Sequence, residues 1–419
     1  MSRDASCRNV DDGVVLGGIG WMKAACTLAM TAVGVGILAL PGTAVQAGWL
    51  GSVIGLFIAS LIIFYNNHLL WRTLSLVRGN ESGDVKCYED AGGSAFGVGG
   101  SVYFGVILHT ALILVCSVMI LLLAATTETL TQVLSRRIWT AIWTAISISL
   151  ALIRDMKHVG SIAAVGAMSA SVMVIVIIAA CISKLATDGV SNEVMVMPQK
   201  GLKFISVFAT YFFAYGLSTV TPTVYHGMAN PSDFPKALST AIFFCLCLYT
   251  STLELGYLAY SQSLASADTV LAAISPPNQP LTIFGWLINI IVIVVVLSHI
   301  LVLFTPTAKR VDMTWSAISE RRRWSTFQLR VCLMASRTLL IILEGCIAIA
   351  VPKVDVLVGL IGAFCVTQLS VFFPIACYVK LKRRRKISIP LWETLLFMLL
   401  VAVASLVMVM GIYGASLQF

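Results

Sequence analysis

Apolar runs of about 20 residues, the length that spans the hydrocarbon core of a bilayer, recur along the chain between short polar or charged segments. Eleven such blocks lie at roughly 21–45, 48–74, 101–128, 137–154, 159–185, 203–227, 236–262, 281–307, 329–351, 355–379 and 391–414. Read as helices, they predict an all-α polytopic membrane protein with 11 transmembrane helices. Residues 1–20 are polar, with Asp4, Asp11 and Asp12 beside Arg3 and Arg8. They lack the basic stretch running into an apolar core that marks a secretory signal, and read as a short cytosolic tail. Two linkers stand apart. Residues 88–100 form a glycine-rich approach to the third span, and 311–328 mix Trp with basic residues as an interfacial helix does.

Composition agrees with the pattern. Hydrophobic residues make up 58% of the 419, charged residues 11%, and mean hydropathy is +0.93. Soluble domains carry about 25% charged residues, so this chain cannot clothe a water-facing surface. A soluble enzyme and a disordered protein are both excluded. The net charge of +9 sits in loops and reports topology rather than affinity for nucleic acid. With the N-terminus in the cytosol, 21 of the 28 Lys and Arg face that side and 6 the other, with Arg337 inside a span. Basic residues favour the cytosolic face, which sets the orientation. Cys7 and Cys87 fall in cytosolic segments and the other nine cysteines in spans, so no disulfide framework is expected. The sequon at Asn80 lies on the cytosolic side. The run Lys382–Lys386 reads first as a topology anchor, with lipid headgroup binding as the alternative.

Two spans carry the most information. In the first, Thr31–Gly42 places Gly34 and Gly36 near mid-span and Pro41 seven residues after Gly34; in the sixth, Tyr211–Pro222 places Gly216 at similar depth and Pro222 six residues later. Glycine weakens a helix, and proline removes a backbone donor. Bare N–H and C=O groups survive at membrane depth only against protein or a wet cavity. Two breaks five spans apart are what a five-plus-five inverted repeat predicts. Half-helix N-termini then offer N–H donors to an anionic group, and exposed carbonyls can hold a cation.

The segments AVGVGILALPGTAVQAGWLGS (32–52), YEDAGGSAFG (88–97), YFFAYGLSTVTPTVYHGMANPSDFPKAL (211–238), LGYLAYSQ (255–262) and VPKVDVLVGLIGAFCVTQLSVFFPIACYVKL (351–381) resemble the amino acid/auxin permease family, within the amino acid–polyamine–organocation superfamily. The resemblance runs from about Trp21 to at least Leu381, and 211–238 is its most specific part. It implies a transmembrane domain over 21–414, with repeat one at about 21–185, repeat two at about 203–379 and an extra helix at about 391–414. It also implies a secondary transporter moving amino acids, coupled to H+ or Na+. Thr31, Val33, Gly34, Val35 and Gly36 match the unwound segment that holds the substrate's carboxylate and amino group. Tyr215, Gly216, Leu217, Ser218 and Thr219 match the unwound part of span six that faces the substrate side chain. Many relatives carry Asn four residues before the first glycine; Met30 stands there, so the resemblance carries no sodium ligand at that position.

Ionisable and polar groups within spans are functional candidates. Ser298 offers a cation an oxygen ligand. Neighbouring His299 suits proton coupling, with a hydrogen bond to a neighbouring helix as the alternative. Glu254 reads as a proton carrier or a satisfied structural acid. Arg337 and Glu344, seven residues apart on one face of span nine, read as structural, as do His68 and His109. Spans one, three, six and eight lack Asp or Glu at their middles, which leans the substrate toward neutral amino acids. No cofactor or metal is expected, and the partners are a small amino acid and the lipid bilayer. Plasma membrane and a vacuolar or lysosomal-type organelle both remain open, and no motif speaks to oligomeric state. Three rivals to a carrier each call for a different feature. A substrate sensor would want a large partner-binding tail, a channel a continuous polar pore, and a membrane enzyme a metal-ligand cluster or nucleophile motif.

Overall fold

The computed structural model describes residues 18–78, 87–152, 159–190, 193–197, 201–276 and 279–417. Most of the N-terminal tail, the Asn80 sequon, and the loop residues Lys86, Arg154, Lys157 and Lys200 lie outside the described residues. The described chain is helical: α1 Trp21–Ala32, α2 Gly36–Ala47, α3 Trp49–Arg78, α4 Tyr88–Phe96, α5 Val98–Thr131, α6 Arg136–Ala151, α7 Val159–Asp188, α8 Gly201–Ala214, α9 Thr221–Gly227, α10 Phe234–Leu264, α11 Val270–Ile274, α12 Ile283–Arg322, α13 Thr326–Ala350, α14 Val354–Ile361, α15 Phe373–Arg384 and α16 Leu391–Ser416. Among the described residues, eight stretches are long and apolar enough to cross a membrane, and the bent pair α1–α2 makes up to nine. This is an integral, multi-pass membrane protein.

The first expected break is present. Between α1 and α2 the chain turns by 59° across Val33–Val35. Pro41, expected to add to the break, instead sits inside α2. Its cost there is local, since it cannot return an N–H to the Ile37 carbonyl one turn back. The second break also falls where expected: α8 ends at Ala214, Gly216–Thr219 form one 3-10 turn, and α9 starts at Thr221 with Pro222 in its first turn. Proline is tolerated there because first-turn N–H groups have no helical acceptor.

Three elements differ from the sequence expectation. The glycine-rich approach to span three holds a helix, α4, whose Tyr88 hydroxyl donates to the Leu369 carbonyl (2.7 Å). Enclosure pushes the Tyr88 phenol well above its ordinary pKa, so it serves as a neutral donor. Residues 311–322 are no separate interfacial helix; they continue span eight within the 40-residue α12, which ends where Arg323 adopts a left-handed conformation. Forty residues make about 60 Å of helix, twice a hydrocarbon core of about 30 Å. Span ten contains wide π turns at Gly362–Val366 and Gln368–Phe372, between α14 and α15. There a Cβ on Gly362 would collide with the Ala209 carbonyl, so the glycine is what lets this span meet the α8 backbone.

The chain forms two compact units, each drawing on both halves of the sequence. One comprises residues up to Leu108, Met195–Ser251 and Gly359–Gln418; the other comprises His109–Val194 and Thr252–Val358. In the first, α2, α16 and the Gly362–Val366 π turn pack on α8, and α15 packs on α3. In the second, α12 lies along α7 and α13 along α6.

Candidate functional site

Both breaks lie in the first unit, and both leave backbone donors open. The N–H groups of Val35, Gly36 and Gly216 meet no acceptor among the described residues. Such groups are costly to leave bare in an apolar setting, so they form a ready anion-binding surface. A Cβ built on Gly34 or on Gly216 would meet nothing within 4 Å, so both glycines border open space. Gly36 is different in kind: its Cβ would stand 2.8 Å from the Ala214 Cα, so this glycine exists for close packing of α2 on α8.

At the other side of each break, one side chain joins the two. The Tyr249 hydroxyl of α10 lies 2.6 Å from the Ala32 carbonyl, at the end of α1, and 2.7 Å from the Ala214 carbonyl, at the end of α8. A phenol has one proton to donate. The Ala32 carbonyl also accepts from the Gly34 N–H (2.9 Å), so the phenol proton is free to serve the Ala214 carbonyl, which meets no backbone donor among the described residues. Fully buried Tyr215 stacks edge-on against Tyr249, with ring centroids 5.1 Å apart.

The second break is also held from α3. Ser60 meets the Tyr215 hydroxyl at 2.6 Å. One turn pair further on, the Asn67 amide donates to Ser218 (3.0 Å) and accepts from Thr221 (2.9 Å). The predicted residues thus sort by exposure. Tyr215, Leu217 and Ser218 are buried, as are Val33 and Val35. Gly34, Gly216 and Thr219 are half-buried, with the Thr219 hydroxyl returned to the Gly216 carbonyl (2.9 Å). Thr31 is exposed and donates to Thr27 in its own helix (2.8 Å).

The three coupling candidates, Ser298, His299 and Glu254, belong to the second unit. Ser298 donates to the Val294 carbonyl (2.8 Å), which leaves its oxygen lone pairs available. His299 Nδ1 lies 2.8 Å from the Val295 carbonyl of its own helix rather than a neighbour's. That bond places the proton on Nδ1 and leaves Nε2 as the basic atom. Gly166 of α7 is pressed against this pair: its Cβ would come 2.8 Å from the Ser298 Cβ and 3.4 Å from His299 Nδ1. Glu254 is half-buried on α10. The structural readings elsewhere gain partners. Arg337 bonds Asp312 of α12 at 2.5 Å and the Ala151 carbonyl at 3.0 Å, not Glu344, and His109 meets Thr307 at 3.1 Å.

Tyr249, Ser60 and Asn67 were not singled out by the sequence. Asn66-Asn67 inside an apolar run was a readable signal, because polar side chains in a span need a partner helix. Tyr249 gave none; tyrosine is common in spans, and only the fold brings it to both breaks.

These features define a class: a multi-pass membrane protein with two spans unwound at mid-helix and joined through one hydroxyl. The family model described as "transmembrane amino acid transporter protein" matches residues 17–417, and the chain belongs to that family. Curated relatives from Arabidopsis thaliana include amino acid transporter AVT1C, 26% identical over 91% of this chain and 66% of its own length. Amino acid transporter AVT1J is 24% identical over 91% of this chain and 87% of its own. The chain thus spans just under two thirds of the first relative. Among solved structures, the inward-facing conformation of Mhp1 aligns with a TM-score of 0.56 at 13% identity, covering 96% of this chain and 89% of its own, a likeness of fold.

Proposed function

We propose that this chain is a secondary active carrier that moves amino acids across a membrane by alternating access, driven by a proton or sodium gradient. The observation that carries the reading is the pair of unwound segments, each with open N–H donors and an open-sided glycine. The Val35, Gly36 and Gly216 amides suit a carboxylate, and the Ala214 carbonyl, which among the described residues accepts from Tyr249 alone, keeps a second lone pair that suits an ammonium. An α-amino acid presents both charges two bonds apart. Thr31 and Val33–Gly36 form the first half of the substrate site, and Tyr215–Thr219 the second. Within that site Gly34, Gly216 and Thr219 make contact, while Tyr215, Leu217 and Ser218 form its packed wall.

Coupling falls to Ser298 as a cation oxygen and to His299 Nε2 or Glu254 as proton carriers. The absence of acids at the middles of spans one, three, six and eight favours neutral amino acids. The transport domain covers 21–414, arranged as the five-plus-five inverted repeat with one further helix, and the N-terminus faces the cytosol. A sensor that binds an amino acid with little flux is the second reading. Saturable uptake with counterflow separates the two.

The test is uptake of labelled neutral amino acids into proteoliposomes under an imposed pH or sodium gradient. Accumulation under one gradient is the expected result. Gly34→Val, which fills the open face of the first break, is expected to abolish it while the protein stays folded. Wild-type uptake by that variant would remove the unwound segment from the mechanism.

A further inference from the structure

The chain ends of α15 and α16 enclose a cavity of about 470 Å³ that has no part in the breaks. Its floor is apolar, with Val379 of α15 facing Phe397, Met398 and Val401 of α16. Its rim is polar, with Arg383 and Ser388. The outer face of α16 beside it is exposed and apolar: Trp392 is 62% exposed and Leu395 53%. In a membrane-spanning helix that face meets lipid, and a Trp at its start marks the headgroup level.

Arg383 belongs to a cluster of six basic residues between Lys380 and Lys386, most of which are already engaged. The Lys380 ammonium lies over the Phe96 ring at 6.0 Å, and Lys382 over Tyr378 at 5.5 Å. Arg384 donates to the Ser94 carbonyl at 2.8 Å, and Arg385 to the Leu76 carbonyl. Below them Arg72 bonds Tyr378 and the buried Glu393. The Arg383 guanidinium has no hydrogen-bond, ion-pair or ring partner among the described residues, and it stands at the rim. A topology anchor needs only charge in the loop; it does not need one guanidinium held out over an apolar hollow.

We propose that this cavity is a binding site for one anionic phospholipid. Its phosphate takes the Arg383 guanidinium and the Ser388 hydroxyl, the net negative charge of its headgroup, which zwitterionic phosphatidylcholine lacks, sets the preference, and an acyl chain fills the floor between Val379 and Met398. A guanidinium matches phosphate oxygens in bidentate geometry. The hollow is too apolar for a free anion and opens too close to a cation for a neutral tail alone. This site stands independently of the transport reading.

The test uses the full chain purified in detergent and examined by native mass spectrometry with phosphatidylserine or phosphatidylcholine. Wild type is expected to retain one phosphatidylserine in preference to phosphatidylcholine. Arg383→Gln is expected to lose that preference by about tenfold, the loss of about 1.4 kcal/mol. Met398→Trp, which fills the floor but leaves the charge, is expected to lower phosphatidylserine retention as well. Inorganic phosphate in millimolar excess is expected not to displace the lipid. Equal retention of phosphatidylcholine, an unchanged preference in Arg383→Gln, unchanged retention in Met398→Trp, or displacement by phosphate would each overturn the proposal. Both substitutions are at exposed side chains, and an unchanged melting temperature confirms that the fold is intact.

Discussion

At the scale of single residues, one hydroxyl ties the two breaks together. The Ala32 carbonyl keeps the Gly34 N–H at 2.9 Å, the Ala214 carbonyl meets no backbone donor among the described residues, and the Tyr249 hydroxyl reaches both, at 2.6 and 2.7 Å. Tyr249→Phe keeps the ring against Tyr215 but removes the hydroxyl proton, which leaves the Ala214 carbonyl without a donor among the described residues. Leaving a buried acceptor unsatisfied costs about 1–3 kcal/mol, so a lower melting temperature is expected. If a substrate ammonium uses the Ala214 carbonyl, the variant should also show an altered apparent KM in uptake. A melting temperature equal to wild type would mean that water or another donor replaces the hydroxyl, and the staple would lose its importance. The sequence could mark Gly34 and Gly216, because glycine is unusual in its backbone freedom. It could not mark Tyr249, whose importance lies in which two carbonyls it meets.

At the scale of elements, the two glycines of the first break separate into two jobs. Gly36 lies against the Ala214 backbone, and an added methyl would stand 2.8 Å from its Cα. Gly36→Ala must force α2 and α8 apart, at about 1–3 kcal/mol for overpacking. Gly34→Ala meets open space and should melt near wild type, while its uptake falls because the methyl enters the open face. Equal melting temperatures for the two variants would contradict this division. The Gly-x-Gly spelling announced a break correctly but could not say which glycine turns the chain and which packs. The same limit explains the other departures. Pro41 looked like a second breaker, yet α2 continues through it because α8 supports that face. The polar stretch 311–322 looked like a new helix, since hydropathy reports the solvent a residue prefers and not whether the backbone stays in register. The π turn at Gly362–Val366 follows from its packing on α8, a tertiary fact with no local spelling.

At the scale of the whole molecule, topology turns on α6. Its 16 residues make about 24 Å of helix, short of a core of about 30 Å, and it is not among the stretches that cross by length and apolarity alone. Local bilayer thinning or snorkelling accommodates such a shortfall at modest cost. Removing that crossing would exchange the sides of every later segment. The basic residues would then divide 17 against 10 at best, instead of 21 against 6. The positive-inside bias therefore favours a chain in which α6 does span. Arg136 at its start adds a local reason, bonding Glu128 at 3.0 Å and Asp268 at 2.8 Å, which holds the α5–α6 turn beside the α10–α12 connection. The prediction concerns cysteines placed at Val133, before α6, and at Lys157, after it, in sealed membrane vesicles of known sidedness. An impermeant thiol reagent should label Val133→Cys from the face opposite the cytosol, and Lys157→Cys only from the cytosolic face, with the unsubstituted chain as background. Labelling of both from one face would make α6 re-entrant, put the termini on the same side, and undo the assignment of every loop beyond it.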